Sequence, residues 1–282
     1  VFLEIFFKSI KFKKFKNPLV LICSQKILKF QMKKLKFKMD IRIINPSLLK
    51  KIKLNNKMIN VIDINYNNDL SFQKISNKSN QYIKDCFETS FKILKSGITN
   101  KLINGPVSKT SFLNKKFLGV TEYLAKETKT NQNAMLIYNK RLSVCPITTH
   151  LPLKSVTRNI TKKNIIEKIY LVDRFFRKHF GFRPKIVVLG LNPHCESVDK
   201  FNEDEKIIKP AIKYLLNQKI RVKGPHSADT AFLKKNRKNI DVIIGMYHDQ
   251  VLTPIKTLFE YDAINITLGL PFIRISPDHG PN

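Results

Sequence analysis

Three short apolar runs that each stop at a histidine constrain this chain more than any other feature. Val144-Cys145-Pro146-Ile147-Thr148-Thr149 leads into His150, and Val187-Val188-Leu189-Gly190-Leu191-Asn192-Pro193 into His194. Val242-Ile243-Ile244-Gly245-Met246-Tyr247 leads into His248. Apolar runs of this kind, bounded by turn residues, read as buried strands. Between them lie segments with helical spacing. Thr161 to Phe180 places Ile165, Ile166, Ile169, Val172 and Phe176 on one face, and Glu203 to Leu216 reads as a further helix. Strands alternating with helices predict an α/β fold with a largely parallel sheet. In such a sheet the carboxyl ends of the strands share one edge, which brings the three imidazoles to the same side.

The remainder fits that pattern. Glu4 to Ile10, Ile27 to Leu35 and Ser79 to Lys95 read as helices, the last with Gly97 as its stop. Residues 18–23, 40–44 and 61–64 read as strands, and 134–138 with 142–150 as a strand pair. A strand at 101–104 meets Gly105-Pro106-Val107-Ser108-Lys109, where Ser108 suits a helix cap and Lys109 a ligand contact. Gly119 to Tyr123 opens another short helix. There is no internal repeat and no low-complexity linker.

At 282 residues the chain suits one large domain or two lobes, and 43% apolar content is ordinary for a folded protein. Its charge is not: 52 basic residues against 21 acidic give +31. Such a balance points first to nucleic acid or an anionic membrane. The excess, however, is mostly Lys dispersed among Asn and Ile, the mixture that codon bias in an AT-rich genome produces. We expect no nucleic-acid partner, and small phosphorylated anions fit the field equally well. Cys23, Cys86, Cys145 and Cys195 are isolated and read as free thiols of a reducing cytosol. No apolar run approaches the roughly eighteen residues of a membrane span, and Val1 to Phe7 carries an acid and no cleavage pattern. We therefore expect a cytoplasmic protein without a membrane partner. The chain begins on Val and ends on Pro-Asn, and both ends read as truncated.

Reactive groups concentrate in the last forty or so residues. Tyr247-His248-Asp249-Gln250 closes one apolar run; Lys256 follows, then a second strand holding Asn265 and Thr267, then Gly269, Pro271, Arg274 and Asp278-His279-Gly280. Open α/β folds bind ligands at such an edge. Read singly, a histidine at a strand end fits a structural ring. Three in one context fit a divalent metal such as Zn²⁺, which would act as a Lewis acid on a hydroxyl or carbonyl. His179, at a helix end, reads as a dipole partner. Thr121, Lys256, Asn265 and Arg274 are candidate phosphate donors. Arg274 is the sharpest of them, because it sits among the apolar residues of LPFIRIS and needs a partner. The glycine-rich dinucleotide fingerprint is absent, and so is the phosphate-binding loop of nucleotide hydrolases.

Seven segments in order then carry a resemblance: 105–109 (GPVSK), 119–125 (GVTEYLA), 149–153 (THLPL), 190–194 (GLNPH), 224–232 (GPHSADTAF), 246–250 (MYHDQ) and 265–280 (NITLGLPFIRISPDHG). Together the set resembles the 4-hydroxythreonine-4-phosphate dehydrogenase family of pyridoxal phosphate biosynthesis, over about residues 100–282 and more loosely over 4–45. The resemblance implies a two-lobed α/β fold like that of isocitrate and isopropylmalate dehydrogenases, with lobes near 1–115 plus 275–282 and 116–274. It implies a homodimer with the site near its interface, NAD as cofactor, and a divalent metal (Zn²⁺, Mg²⁺ or Co²⁺) on His150, His194 and His248. Thr121, Lys256, Asn265 and Arg274 take the family's substrate-binding positions, while Asp229 and Asp249 match its acidic residues. The reaction implied is oxidation of the 3-hydroxyl of 4-phosphooxy-L-threonine, with loss of CO₂ to give 3-amino-2-oxopropyl phosphate. Proton transfer falls to Asp249, with Lys109 second. Val120 stands where the family has a substrate-contacting histidine, and its side chain cannot hydrogen-bond. Three other readings compete: a paralogue acting on a threonate or erythronate phosphate, a truncated non-catalytic remnant, and a basic nucleic-acid binder.

Overall fold

The computed structural model describes residues 1–66, 76–108, 112, 113, 117 and 119–280, and the chain divides into two compact units. The first comprises Val1–Lys116 with Gly280–Asn282. Its elements are α1 (Phe2–Phe12), β1 (Val20–Cys23), α2 (Gln25–Lys34), β2 (Ile41–Ile43), β3 (Ile59–Asp63), α3 (Asn80–Lys95) and β4 (Lys101–Ile103). The strands β1, β3 and β2 pair in that order, all parallel. Leu3 and Phe7, one turn apart on α1, bury against Leu21, Leu28, Met32, Phe37 and Val61, with Phe7 stacked on Phe37 at 4.5 Å. Ser24 caps α2 by accepting from the Ile27 amide, and Lys33 and Lys34 lie at the negative end of its dipole.

The second unit, Phe117–His279, carries most of the reactive residues. It runs α4 (Val120–Glu127), β5 (Ala134–Tyr138), β6 (Ser143–Pro146), α5 (Val156–Asn159), α6 (Lys162–Phe180), β7 (Ile186–Leu189), α7 (Lys209–Asn217) and β8 (Val222–His226). It continues with α8 (Ala228–Ala231), β9 (Val242–Gly245), α9 (His248–Phe259), β10 (Ile264–Leu268) and β11 (Ile273–Pro277). Its strands lie in the order β11–β10–β5–β6–β9–β7–β8. Pairing is parallel from β6 through β9 and β7 to β8, and antiparallel through β5, β10 and β11. The expected α/β class and mostly parallel pairing are therefore found, as is the pairing of 134–138 with the strand that follows it, which is antiparallel.

Both faces of this sheet are covered. Ala134 and Leu136 of β5, with Val242 and Ile244 of β9, face Ile165, Ile169, Val172 and Phe176 of α6. Met135, Ile137 and Ile243 face the other way, onto Val251, Leu252, Ile255 and Phe259 of α9. Double coverage is the physical reason the strand sequences show no alternation. Thr161 caps α6 by accepting from the Asn164 amide, and Gly181 ends it at φ 76°, where a side chain would be strained.

Two elements depart from the sequence expectation. Residues 248–259 form a helix where only a polar cluster and a lysine were foreseen, and Pro254 lies inside it. Residues 222–226, where Gly224-Pro225 signals a turn, form the edge strand β8, and Pro225 needs no ladder partner on its open side. The helix read from Glu203 is found as a π-helical turn, Asp204–Ile208, running into α7. Cys23 and Cys145 are buried and Cys86 and Cys195 half-buried, all as free thiols.

Ile169 is fully buried at the centre of the α6 face. Ile169→Ala should lower unfolding free energy by about 2–5 kcal/mol, read from urea denaturation of the purified chain.

Candidate active site

The edge of interest is where β6, β9 and β7 end side by side. Their ladder continues beyond the strands: the Ile147 amide donates to Gly245 O at 2.7 Å, and the Thr148 amide to Met246 O at 3.1 Å. The Thr148 hydroxyl adds a second bond to Met246 O at 2.8 Å. Gln250, in the first turn of α9, joins β9 to β7. Its Oε1 accepts from the Met246 amide at 2.6 Å and its Nε2 donates to Gly190 O at 2.8 Å. Beyond β7, the fully buried Asp204 accepts from the Leu191 and Asn192 amides at 2.9 and 3.1 Å and from Asn192 Nδ2 at 3.0 Å. Side-chain clamps thus hold all three strand ends where the backbone ladder runs out, at a position where unsatisfied amides would be costly.

The predicted histidines lie on these ends. His150 and His248 come together with ring centroids 5.5 Å apart, and His248 Nδ1 lies 2.6 Å from Asp249 Oδ1. His194 sits in a single turn, Pro193–Cys195, with φ 55° and ψ 15°, and is exposed. Among the described residues, no three His, Cys, Asp or Glu side chains lie close enough to hold a metal ion. In its chemistry the donor set fits a divalent ion: imidazoles on adjacent strand ends, with a carboxylate at one of them. In its geometry two of the three rings are in place and His194 is not. Asp229 is exposed on α8, and Lys109 lies outside the described residues.

A second group of predicted residues forms a polar face on β10 and β11. Thr267 pairs across the ladder with Arg274, and Asn265 with Ser276. The alternation of a strand puts these four on one side, while Ile266, Leu268 and Ile275 face the α6 core. Arg274 Nη1 donates to Thr267 Oγ1 at 3.0 Å, and Thr267 Oγ1 lies 3.4 Å from the Thr121 hydroxyl. Arg274 is only 3% exposed, and burial pushes its pKa down to about 10, partly countered by the Glu122 carboxylate. Asn265 Oδ1 is buried without a hydrogen-bond partner among the described residues. Lys256, on α9, pairs at 2.7 Å with Asp278, whose side chain is 2% exposed, and its ammonium lies over the Tyr261 ring. Val120, the first residue of α4, brings no donor to this face.

Sequence reasoning did not single out Glu122, Gln250, Asp204 or Asp278 as individual residues with roles. Glu122 accepts from the Thr149 hydroxyl at 3.1 Å through Oε1, while its Oε2 is buried and unbonded. No sequence signal marked it, because Glu122 stands 27 residues before Thr149 and only the fold brings the two together. Gly119 makes room for the arrangement, since a Cβ there would lie 2.7 Å from Glu122 Oε2 and 3.0 Å from the His150 ring.

By fold and edge chemistry the second unit is an α/β sheet that gathers its ligand groups outside the carboxyl ends of parallel strands. The particular family follows from comparison with known proteins. Residues 14–282 match the model of the pyridoxal phosphate biosynthetic protein PdxA, and the chain belongs to that family. It is 42% identical over 228 residues to 4-hydroxythreonine-4-phosphate dehydrogenase of Sulfurihydrogenibium sp., covering 79% of this chain and 69% of that protein. It is 43% identical over 166 residues to the protein of the same name from Aquifex aeolicus, covering 58% of this chain and 51% of that one. The crystal structure of 4-hydroxythreonine-4-phosphate dehydrogenase from Klebsiella pneumoniae superposes with a TM-score of 0.76 at 30% identity, over 93% of this chain and 81% of that one. The resemblance carried by the seven motifs is borne out.

Replacing Thr267 removes one hydrogen-bond acceptor of the buried Arg274. Thr267→Val should lower stability by about 1.5–3 kcal/mol, the range for a hydrogen bond to a charged group, measured by urea unfolding at neutral pH.

Proposed function

We propose that this chain catalyses the NAD⁺-dependent oxidation of 4-phosphooxy-L-threonine at its 3-hydroxyl, with decarboxylation to 3-amino-2-oxopropyl phosphate, in the route to pyridoxine 5′-phosphate. One observation carries the reading. In a chain of this family, a pair of neighbouring imidazoles and a buried guanidinium bonded to the Thr267 hydroxyl belong to the same unit. The imidazoles suit a divalent metal and the guanidinium suits a phosphorylated substrate.

On this reading Thr121, Asn265, Lys256 and Arg274 bind the phosphorylated acid, Arg274 offering its fork of donors from a dry setting where charge-assisted bonds are strong. His150 and His248 would hold the divalent ion, with His194 as the third ligand that the family resemblance implies. Bound there, the ion supplies Lewis-acid stabilisation of negative charge on the substrate oxygen. Asp249, exposed and hydrogen-bonded to His248, takes the hydroxyl proton, with Asp229 and Lys109 as further groups of the site. Oxidation makes a β-keto acid, whose loss of CO₂ needs the same oxygen stabilised as an enolate. The active form is a homodimer in the cytoplasm. No helix among the described residues is long and apolar enough to cross a membrane.

Val120 favours a second reading, in which the substrate is a threonate or erythronate phosphate, because the position brings no side-chain donor to the substrate.

The test is NADH formation followed by absorbance with 4-phosphooxy-L-threonine, NAD⁺ and Zn²⁺, Mg²⁺ or Co²⁺. Metal-dependent turnover is expected, with His248→Ala and Arg274→Ala each losing about 100-fold or more in kcat/KM. Turnover on the threonate or erythronate phosphates alone would establish the second reading, and none on any of them by folded, metal-loaded protein would refute both.

A further inference from the structure

The site contains a buried carboxylate oxygen that the reaction as described does not use. Glu122 Oε1 is occupied by the Thr149 hydroxyl, while Oε2 is buried with no hydrogen-bond partner among the described residues. A buried carboxylate oxygen left unbonded is expensive, and a native structure keeps one where a donor is to be received. The geometry around Gly119 indicates which donor. From the point a Cβ would occupy on Gly119, Glu122 Oε2 is 2.7 Å away and His150 Nδ1 3.0 Å away. Both atoms are buried and face the same small space, which exists because residue 119 has no side chain. Thr149 immediately precedes His150, so the bond to Glu122 Oε1 fixes the carboxylate beside the backbone that carries the ring. His150 in turn faces His248.

We propose that Glu122 is the positioning residue for His150: its Oε2 accepts the Nδ1–H proton, fixes that tautomer, and leaves Nε2 as the lone-pair nitrogen presented to the ligand. A histidine that binds a metal through one ring nitrogen characteristically donates from the other to a carboxylate or carbonyl. The proposal rests on the reading of His150 as a ligand, but its central observable does not.

That observable is the tautomer of His150 in the metal-free full chain at neutral pH, read by long-range proton–nitrogen NMR with His150→Ala to assign the signals. The expected result is a protonated Nδ1 and an unprotonated Nε2 in the wild type. Glu122→Ala should erase that preference, and Glu122→Gln, whose amide oxygen can still accept, should partly retain it. Zn²⁺ affinity, measured by competition with a chromophoric chelator, should fall about 10- to 100-fold in Glu122→Ala. A purely structural loss would show in the signals of His226, remote on β8, and these should not move. If Glu122→Ala fails to fold, Thr149→Val releases the carboxylate with less disturbance and should weaken the same preference. An Nε2–H tautomer in the wild type, or a tautomer unchanged in the folded variants, overturns the proposal. If His150→Ala leaves Zn²⁺ affinity unaltered, the ligand reading of His150 fails while the tautomer result still stands.

Discussion

The parallel pairing of β6, β9 and β7 is the constraint on which the candidate site depends. It sets three carboxyl ends side by side, but a ladder alone would fray there. Gln250 prevents this with one amide group that accepts from β9 and donates to β7. Thr148 ties β6 to β9, and Asp204 gathers the amides that follow β7. Each clamp replaces a missing ladder bond with a side-chain bond of similar geometry, so the histidine loops leave from a fixed frame. His150 and His248 leave from the clamped ends of β6 and β9, whereas His194 sits in an exposed turn with a left-handed backbone.

Around that frame the protein holds charge in dry places. Arg274 sits between the sheet and the first turn of α4, its guanidinium held by Thr267 and eased by Glu122. Burying a cation is tolerable only when its donors find acceptors, and a hydroxyl provides a weaker match than a carboxylate. The consequence is a guanidinium whose direction is set in part by a neutral hydroxyl. Lys256 is different: its partner Asp278 is itself buried, so that pair is locally balanced before any ligand arrives.

Much of the fold was legible because its strands are buried on both faces. VVLGL and VIIGM show unbroken apolar character that surface strands lack, and the α6 face shows its period clearly. What was missed has identifiable causes. The helix α9 opens with His-Asp-Gln, which reads as a loop, and carries Pro254, which reads as a break. It persists because Val251, Leu252, Ile255 and Phe259 pack on the sheet and outweigh the lost backbone bond. β8 was hidden by Gly224-Pro225, a turn signal that an edge strand tolerates. In the candidate site, Arg274 and the strand-end histidines declared themselves by being polar groups in apolar company. Glu122 did not, because an acid in the first turn of a helix already has an ordinary reason to be there. Only the placement of Thr149 and Gly119 gives it a second one.

The helix that the sequence concealed also acts as a ruler. His248 begins α9 and Lys256 lies eight residues on, an axial separation of about 12 Å at the usual rise. Because one rigid rod carries both, the gap between the imidazole end and the ammonium end cannot be adjusted by loop movement. A ligand gripped at both ends must match that length within the reach of the lysine side chain. Size selection would then come from a backbone dimension as much as from the side chains that meet the ligand.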